Sequence, residues 1–187
     1  MSRVSLPPVE PSPAVPFRVL FVCVGNVCRS PVGERLLAAR LPVERFEVSS
    51  AGVGAMVGHA MSRYAAEELR SYGGDPTGFA ARQLTPDLLD GSDLILTATR
   101  DLRSRVLAET PLALRRTFTV LEFAALVEHA EGSTPAELVR WAALHRSTAG
   151  AVDQDVPDPY RRGPEEHARS ARLLDAAVQQ IAKGLDL

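Results

Sequence analysis

From Phe17 to Cys23 the chain reads F-R-V-L-F-V-C, apolar but for Arg18, and eight residues after Cys23 comes Pro31, the end of an Arg-Ser-Pro triplet. No other feature narrows the possible folds as much. A run this short and this apolar is a strand buried on both faces. Ser30 and Pro31 then read as the N-cap and first-turn proline of a helix whose buried side is marked by Val32, Leu36 and Leu37. Strand, tight loop and helix together open an α/β fold.

The rest of the chain repeats the alternation. Phe46 to Ser50 reads as a second strand ending at Ala51-Gly52, and Met61 to Tyr72 as a helix closed by Gly73-Gly74. A short helix begins near Thr85-Pro86. Asp93 to Thr97 is a third buried strand, with Arg100 to Glu109 as its crossover helix. Thr117 to Leu121 is a weaker fourth strand, leading into a helix over Glu122 to Ala130. Thr134-Pro135-Ala136-Glu137 forms a capping box for a helix through about His145. Pro164 to Gly184, with Leu174, Val178 and Ile181 on one face, is the closing helix. Strands alternating with helices imply a three-layer α/β fold, a parallel sheet covered on both faces and wound by right-handed crossovers.

Composition sets the outer bounds. With 187 residues, 45% hydrophobic and 24% charged, the chain fits one globular domain. The first sixteen residues hold five prolines and read as a flexible tail, leaving 17–187 as the domain. A net charge of −2, without basic stripes, argues against nucleic-acid or membrane partners. The lack of a secretory leader or a spanning apolar run suggests a soluble cytoplasmic protein. Nothing in the chain specifies more than a monomer or weak dimer. His59, His129, His145 and His167 have no metal-ligand spacing, so no metal or other cofactor is expected. Cys23 and Cys28, the two cysteines, lie too close together to staple a fold of this size. Their meaning is local.

Open α/β sheets bind ligands beyond the carboxyl ends of their strands, where the loop after Cys23 lies. Its backbone N–H groups, next to a helix N-terminus, make an anion cradle. Gly25 permits close backbone approach, and Asn26 tolerates a left-handed conformation. Amide dipoles, the helix end and Arg29 all favour the thiolate of Cys23. The same donors suit a phosphoryl group, and Arg29 can hold two of its oxygens as a fork. Each residue also has a plainer reading. Cys23 could be a small core residue at a strand end, and Cys28 could be core filler. Ser30 could serve as an N-cap alone, Asp158 could begin a turn with Pro159, and Tyr160 could simply pack. Arg161 and Arg162 read either as an anion-attracting rim or as a solvated pair.

Cys23 to Pro31, with Asp158-Pro159-Tyr160 far downstream and Ser50-Ala51-Gly52 between, resembles the low-molecular-weight protein tyrosine phosphatases from Phe17 to about Gly184. The resemblance implies four parallel strands, a phosphate-binding loop between the first strand and first helix, and a metal-free two-step hydrolysis of phosphotyrosine. In that scheme Cys23 attacks phosphorus while Arg29 and the amides of Val24, Gly25, Asn26, Val27 and Cys28 stabilise the transferring group. Asp158 is the acid and then the base, Ser30 hydrogen-bonds the sulfur, Tyr160 lines the slot for the substrate ring, and Cys28 can form a reversible disulfide with Cys23. The Asp-Pro-Tyr-Arg-Arg stretch looks similar to bacterial members that act on tyrosine kinases controlling polysaccharide export.

Departures from the family pattern bear on specificity. Phe79 stands where many members have His ahead of Ala-Arg-Gln, so the usual brace for the loop asparagine is expected to be missing. Ala98-Thr99 replaces Met-Asp, and the aromatic wall residue becomes Met56 or Val57. The segment 128–155 reads as an added, partly helical insertion beside the site. Related arsenate reductases need further downstream cysteines, and none follows Cys28. Protein arginine phosphatases carry Thr where Val27 stands, and valine cannot hydrogen-bond a guanidinium. A phosphotyrosine-binding module that has lost turnover is the alternative from outside the enzymes.

Overall fold

The structure, a computed structural model, describes residues 15–130, 132–150 and 154–186. The expected tail lies, as far as residue 14, outside the described residues. Four strands, β1 (Phe17–Cys23), β2 (Phe46–Gly52), β3 (Leu94–Thr97) and β4 (Thr117–Thr119), form one parallel sheet in the order β2-β1-β3-β4. β1 lies inside the sheet, pairing with β2 along its whole length and with β3 on its other edge. Its last residue, Cys23, stands opposite Gly52.

Alternation along β1 sends side chains to two cores. Val19 and Phe21 pack with helices α1 (Arg29–Ala38), α2 (Arg63–Ser71), α5 (Val120–Val127), α6 (Pro135–Leu144) and α7 (Pro164–Leu185). Leu20 and Val22 face the other way, toward α3 (Pro86–Asp90), α4 (Arg100–Glu109) and the 3₁₀ turn Pro111–Arg116. Helices thus cover both faces, as the alternation requires. Gly33 lets α1 lie on β1, since a Cβ there would come within 2.6 Å of the Phe21 ring.

Several element ends and one cap differ from the sequence reading. α1 starts two residues early, at Arg29 with Cys28 as its N-cap, and no side chain caps it. The Ser30 hydroxyl, expected as the cap, is bonded elsewhere. β4 ends at Thr119, because Thr119 and Glu122 form a reciprocal capping box that starts α5 two residues sooner. α6 does begin at Pro135 behind a Thr134 cap, but the Glu137 carboxylate accepts from the N–H of Ser133 rather than from Thr134. α6 packs against α5, α7 and the 3₁₀ turn. It lines no part of the pocket described below.

Candidate active site

The loop Val24–Cys28 joins the carboxyl end of β1 to the N-terminus of α1 and floors a pocket of about 140 Å³. Cys23, Val24, Gly25, Val27, Cys28 and Arg29 form its base, with Gly54, Met56, Asp158 and Tyr160 as walls. Met56 therefore holds the expected wall position, while Val57 is exposed. Cys23 is 2% exposed, and its sulfur accepts from the N–H of Asn26 at 3.3 Å.

Asn26 is the node of the loop. It is fully buried in the left-handed region, at φ 54°. Its Nδ2 donates to Ser30 Oγ at 2.9 Å and to Ser50 Oγ at 2.8 Å, and its Oδ1 accepts from the Arg82 N–H at 2.8 Å. Both amide protons are thereby spent, which fixes where the serine protons go. The Ser50 hydroxyl donates to Glu34 at 2.5 Å. The Ser30 hydroxyl, accepting from Asn26, has its nearest remaining partner in the Cys23 sulfur at 2.9 Å; the Ala51 carbonyl is at 3.5 Å. The brace expected to be lost with Phe79 is thus supplied by the Arg82 main chain and by the Ser50–Glu34 pair. Burial pushes the Glu34 carboxyl above its ordinary value, against the Ser50 hydrogen bond and the nearby Arg35 and Arg82.

The crowded glycine of the loop region is Gly52 rather than Gly25. A Cβ on Gly52 would meet the Val24 carbonyl at 2.4 Å and the Asn26 nitrogen at 3.0 Å, whereas one on Gly25 makes only ordinary contact with Val27 and Met56. Cys28 is buried with its sulfur 3.2 Å from Ser62 Oγ, and burial pushes its thiol up to about 11. Ala98 packs beside Cys23 and Leu102, and Thr99 caps α4 through the Leu102 N–H.

Arg29 is almost wholly buried yet reaches the mouth of the pocket. One terminal nitrogen donates to the Val156 carbonyl at 3.2 Å, and the other pairs with Asp158 at 2.8 Å. Its Nε has no acceptor among the described residues. Asp158 is half exposed, and its other oxygen accepts from the Tyr160 N–H at 3.2 Å. Tyr160 is exposed, with the Arg161 guanidinium 5.4 Å from its ring centre. The residues singled out in the sequence therefore converge on one pocket, except that Asn26 and Ser30 lie behind its wall. Glu34, Arg82 and the Val156 carbonyl were not foreseen. Glu34, four positions after Ser30 on α1, and Arg82, within the Ala-Arg-Gln segment, left a trace in the sequence. Among the described residues no group of three or more His, Cys, Asp or Glu could hold a metal ion, and no helix is long and apolar enough to cross a membrane.

Comparison with known proteins gives the same outline. The family model described as low molecular weight phosphotyrosine protein phosphatase matches residues 18–137, which include Cys23 and Arg29. The low molecular weight protein-tyrosine-phosphatase Etp of Escherichia coli (strain K12) is 32% identical over 167 residues, covering 89% of this chain and 93% of its own. Among solved structures, the Erwinia amylovora tyrosine phosphatase amsI superposes with a TM-score of 0.71 at 27% identity, covering 96% of this chain and 100% of its own. The YwlE arginine phosphatase of Geobacillus stearothermophilus superposes with a TM-score of 0.70 at 27% identity, covering 90% and 92%. With its matched segment spanning the loop from Cys23 to Arg29 and a full-length relative above 30% identity, the chain belongs to the low molecular weight phosphotyrosine protein phosphatase family.

Proposed function

We propose that this protein hydrolyses phosphotyrosine in protein substrates by a cysteinyl-phosphate route, with residues 17–187 as one phosphatase domain. The observation that carries the reading is the meeting of Cys23, Arg29 and Asp158 in one pocket, with Arg29 and Asp158 2.8 Å apart. In the first step the Cys23 sulfur attacks phosphorus in line, so that a P–S bond forms as the P–O bond to the aryl group breaks. Asp158 gives its proton to the departing phenolate oxygen. In the second step Asp158 takes a proton from water, which attacks phosphorus and returns the sulfur as thiolate with release of inorganic phosphate. The Ser30 hydroxyl, directed at the sulfur, stabilises that leaving group. Arg29 brings an unspent Nε and a terminal nitrogen that a phosphoryl oxygen takes over from Asp158. The loop amides of Val24, Gly25, Asn26, Val27 and Cys28 complete the cradle.

Overall superposition does not separate tyrosine from arginine phosphatases, since both match about equally well. The pocket lining favours an aryl ester. Val27 and Met56 present apolar walls with no acceptor for a guanidinium, and Tyr160 stands beside them for the substrate ring. A phosphotyrosine-bearing bacterial tyrosine kinase is the proposed partner and the cytoplasm the proposed compartment. Cys23→Ser should abolish release of phosphate from phosphotyrosine peptides. Asp158→Ala should slow it by about two to four decades. Wild-type protein that binds phosphopeptide without turnover would make it a binding module instead, and faster turnover of phosphoarginine peptides would reassign the substrate.

A further inference from the structure

Asp158 is half exposed, and the ion pair with Arg29 that holds its side chain is the contact that a bound phosphoryl group takes over under the proposed mechanism. At that moment its place depends on the main chain behind it, residues 155–157. Val156 is the pivot of that segment. Its side chain is buried, its N–H donates to the Ala98 carbonyl just past β3 at 2.9 Å, and its own carbonyl accepts from Arg29 at 3.2 Å. One pinned residue leaves the chain free to swing about it, whereas two define a direction. Pro157, with φ fixed by its ring, carries that direction on to Asp158.

The second fixed point is Asp155. Its Oδ1 accepts from the Arg100 N–H at 2.8 Å and from Arg100 Nε at 3.3 Å, and its Oδ2 accepts from Arg100 Nη2 at 3.2 Å. Three donors of one residue thus grip both carboxylate oxygens. Arg100 is the first residue of α4, and the helix does not need Asp155 as its cap. Thr99 already fills that role through the Leu102 N–H at 3.2 Å. The grip therefore does more for residues 155–158, which have no regular secondary structure, than for the helix. Burial pushes the Asp155 carboxyl up, but the hydrogen bonds and charge of Arg100 outweigh it and hold the group below its ordinary value, so the clamp is ionised at neutral pH. We infer that Asp155 is a positioning residue for the reaction: clamped to the start of α4 by Arg100, it fixes with Val156 the direction in which the chain brings the Asp158 carboxyl to the pocket.

This inference rests on the phosphatase reading, and its test separates the two. A misplaced acid should matter little for an ester whose leaving group departs unaided and much for one that needs a proton. Values of kcat/KM report the step in which that group leaves. Asp155→Ala should lower kcat/KM for phenyl phosphate about tenfold, and for p-nitrophenyl phosphate by less than about threefold. Arg100→Pro deletes all three donors, yet proline suits the first helical position behind an extended Thr99, so α4 and its cap stay in place. That variant should reproduce the same split between the esters. Asp155→Asn, whose amide oxygen can still accept from the Arg100 N–H, should recover most of the loss. In an Asp158→Ala background Asp155→Ala should cost less than about threefold on either ester. Equal losses on both esters, no loss on either, wild-type rates for Arg100→Pro, no recovery with Asn, or a further loss of about tenfold without Asp158 would each overturn the inference. Should Asp155→Ala not fold, Arg100→Pro decides alone. Wild type that turned over neither ester would refute the phosphatase reading and the inference with it.

Discussion

Asn26 illustrates how much of the site a residue-level reading recovers and where it stops. The Gly-Asn pair announced a left-handed turn, and the turn is there at φ 54°. What the sequence does not display is the set of partners that hold so costly a conformation in place, because they come from β2, from α1 and from the segment before α3. For Ser30 the contact with the sulfur that the resemblance implied is the one formed, and only the cap reading fails, for a related reason. A serine before proline matches a helix cap by local pattern, but its hydroxyl lies behind the loop, where the sulfur is the nearer partner. Gly52 carries the sharpest prediction at this scale. A methyl group there would collide with main-chain atoms of Val24 and Asn26, so Gly52→Ala must displace the cradle. Stability should fall by about 1–3 kcal/mol in urea titrations, and turnover by more than about tenfold even where the variant is fully folded. Gly25→Ala, facing only ordinary contacts inside the protein, should leave stability within about 1 kcal/mol of wild type.

Among the elements, β1, β3, α4 and α7 were legible because apolar runs, caps and prolines agreed with one another. The β4–α5 junction was not. Thr117 to Leu121 has strand-like composition, but the reciprocal bonds of Thr119 and Glu122 start a helix inside it. The α6 segment was foreseen as a helix, yet its seat was not, because its anchor lies outside it. Arg146, in the short 3₁₀ turn after α6, reaches Glu122 at 2.8 Å, the carbonyls of Leu114 and Thr117, and the face of the Phe118 ring at 4.1 Å. Glu122 is nearly buried, so removing the cation leaves a carboxylate without its partner. Arg146→Ala should cost about 2–3 kcal/mol and raise hydrogen exchange across Pro135–Ala149. Its kcat/KM should stay within about twofold of wild type, since α6 lines no part of the pocket. A large loss of turnover would show that the insertion does reach the chemistry.

For the molecule as a whole, two ionisable groups, one buried and one largely so, pull the pH dependence of stability in opposite directions. His167 takes up its proton at lower pH when folded than the ordinary 6.5. As pH falls below that value the unfolded chain binds a proton that the native state refuses, so stability drops by at most about 1.4 kcal/mol per pH unit until the folded ring also titrates. Glu34 is raised above 4.5, so its contribution is complete below that value and is lost as pH rises through the folded value. Urea midpoints measured from pH 4 to 8 should therefore show His167→Phe gaining on wild type as the solution is acidified. Glu34→Gln should gain on wild type as the solution is made neutral. A final consequence follows from the place of β1 between two neighbours in the sheet. Cys23 is bolted to a strand locked on both edges, whereas Asp158 hangs from a loop whose Pro159 lies against the closing helix. Such a tool has one fixed jaw and one adjustable jaw. Under the proposed mechanism, changes around α7 should retune which leaving groups are accepted while the line of attack on phosphorus stays true.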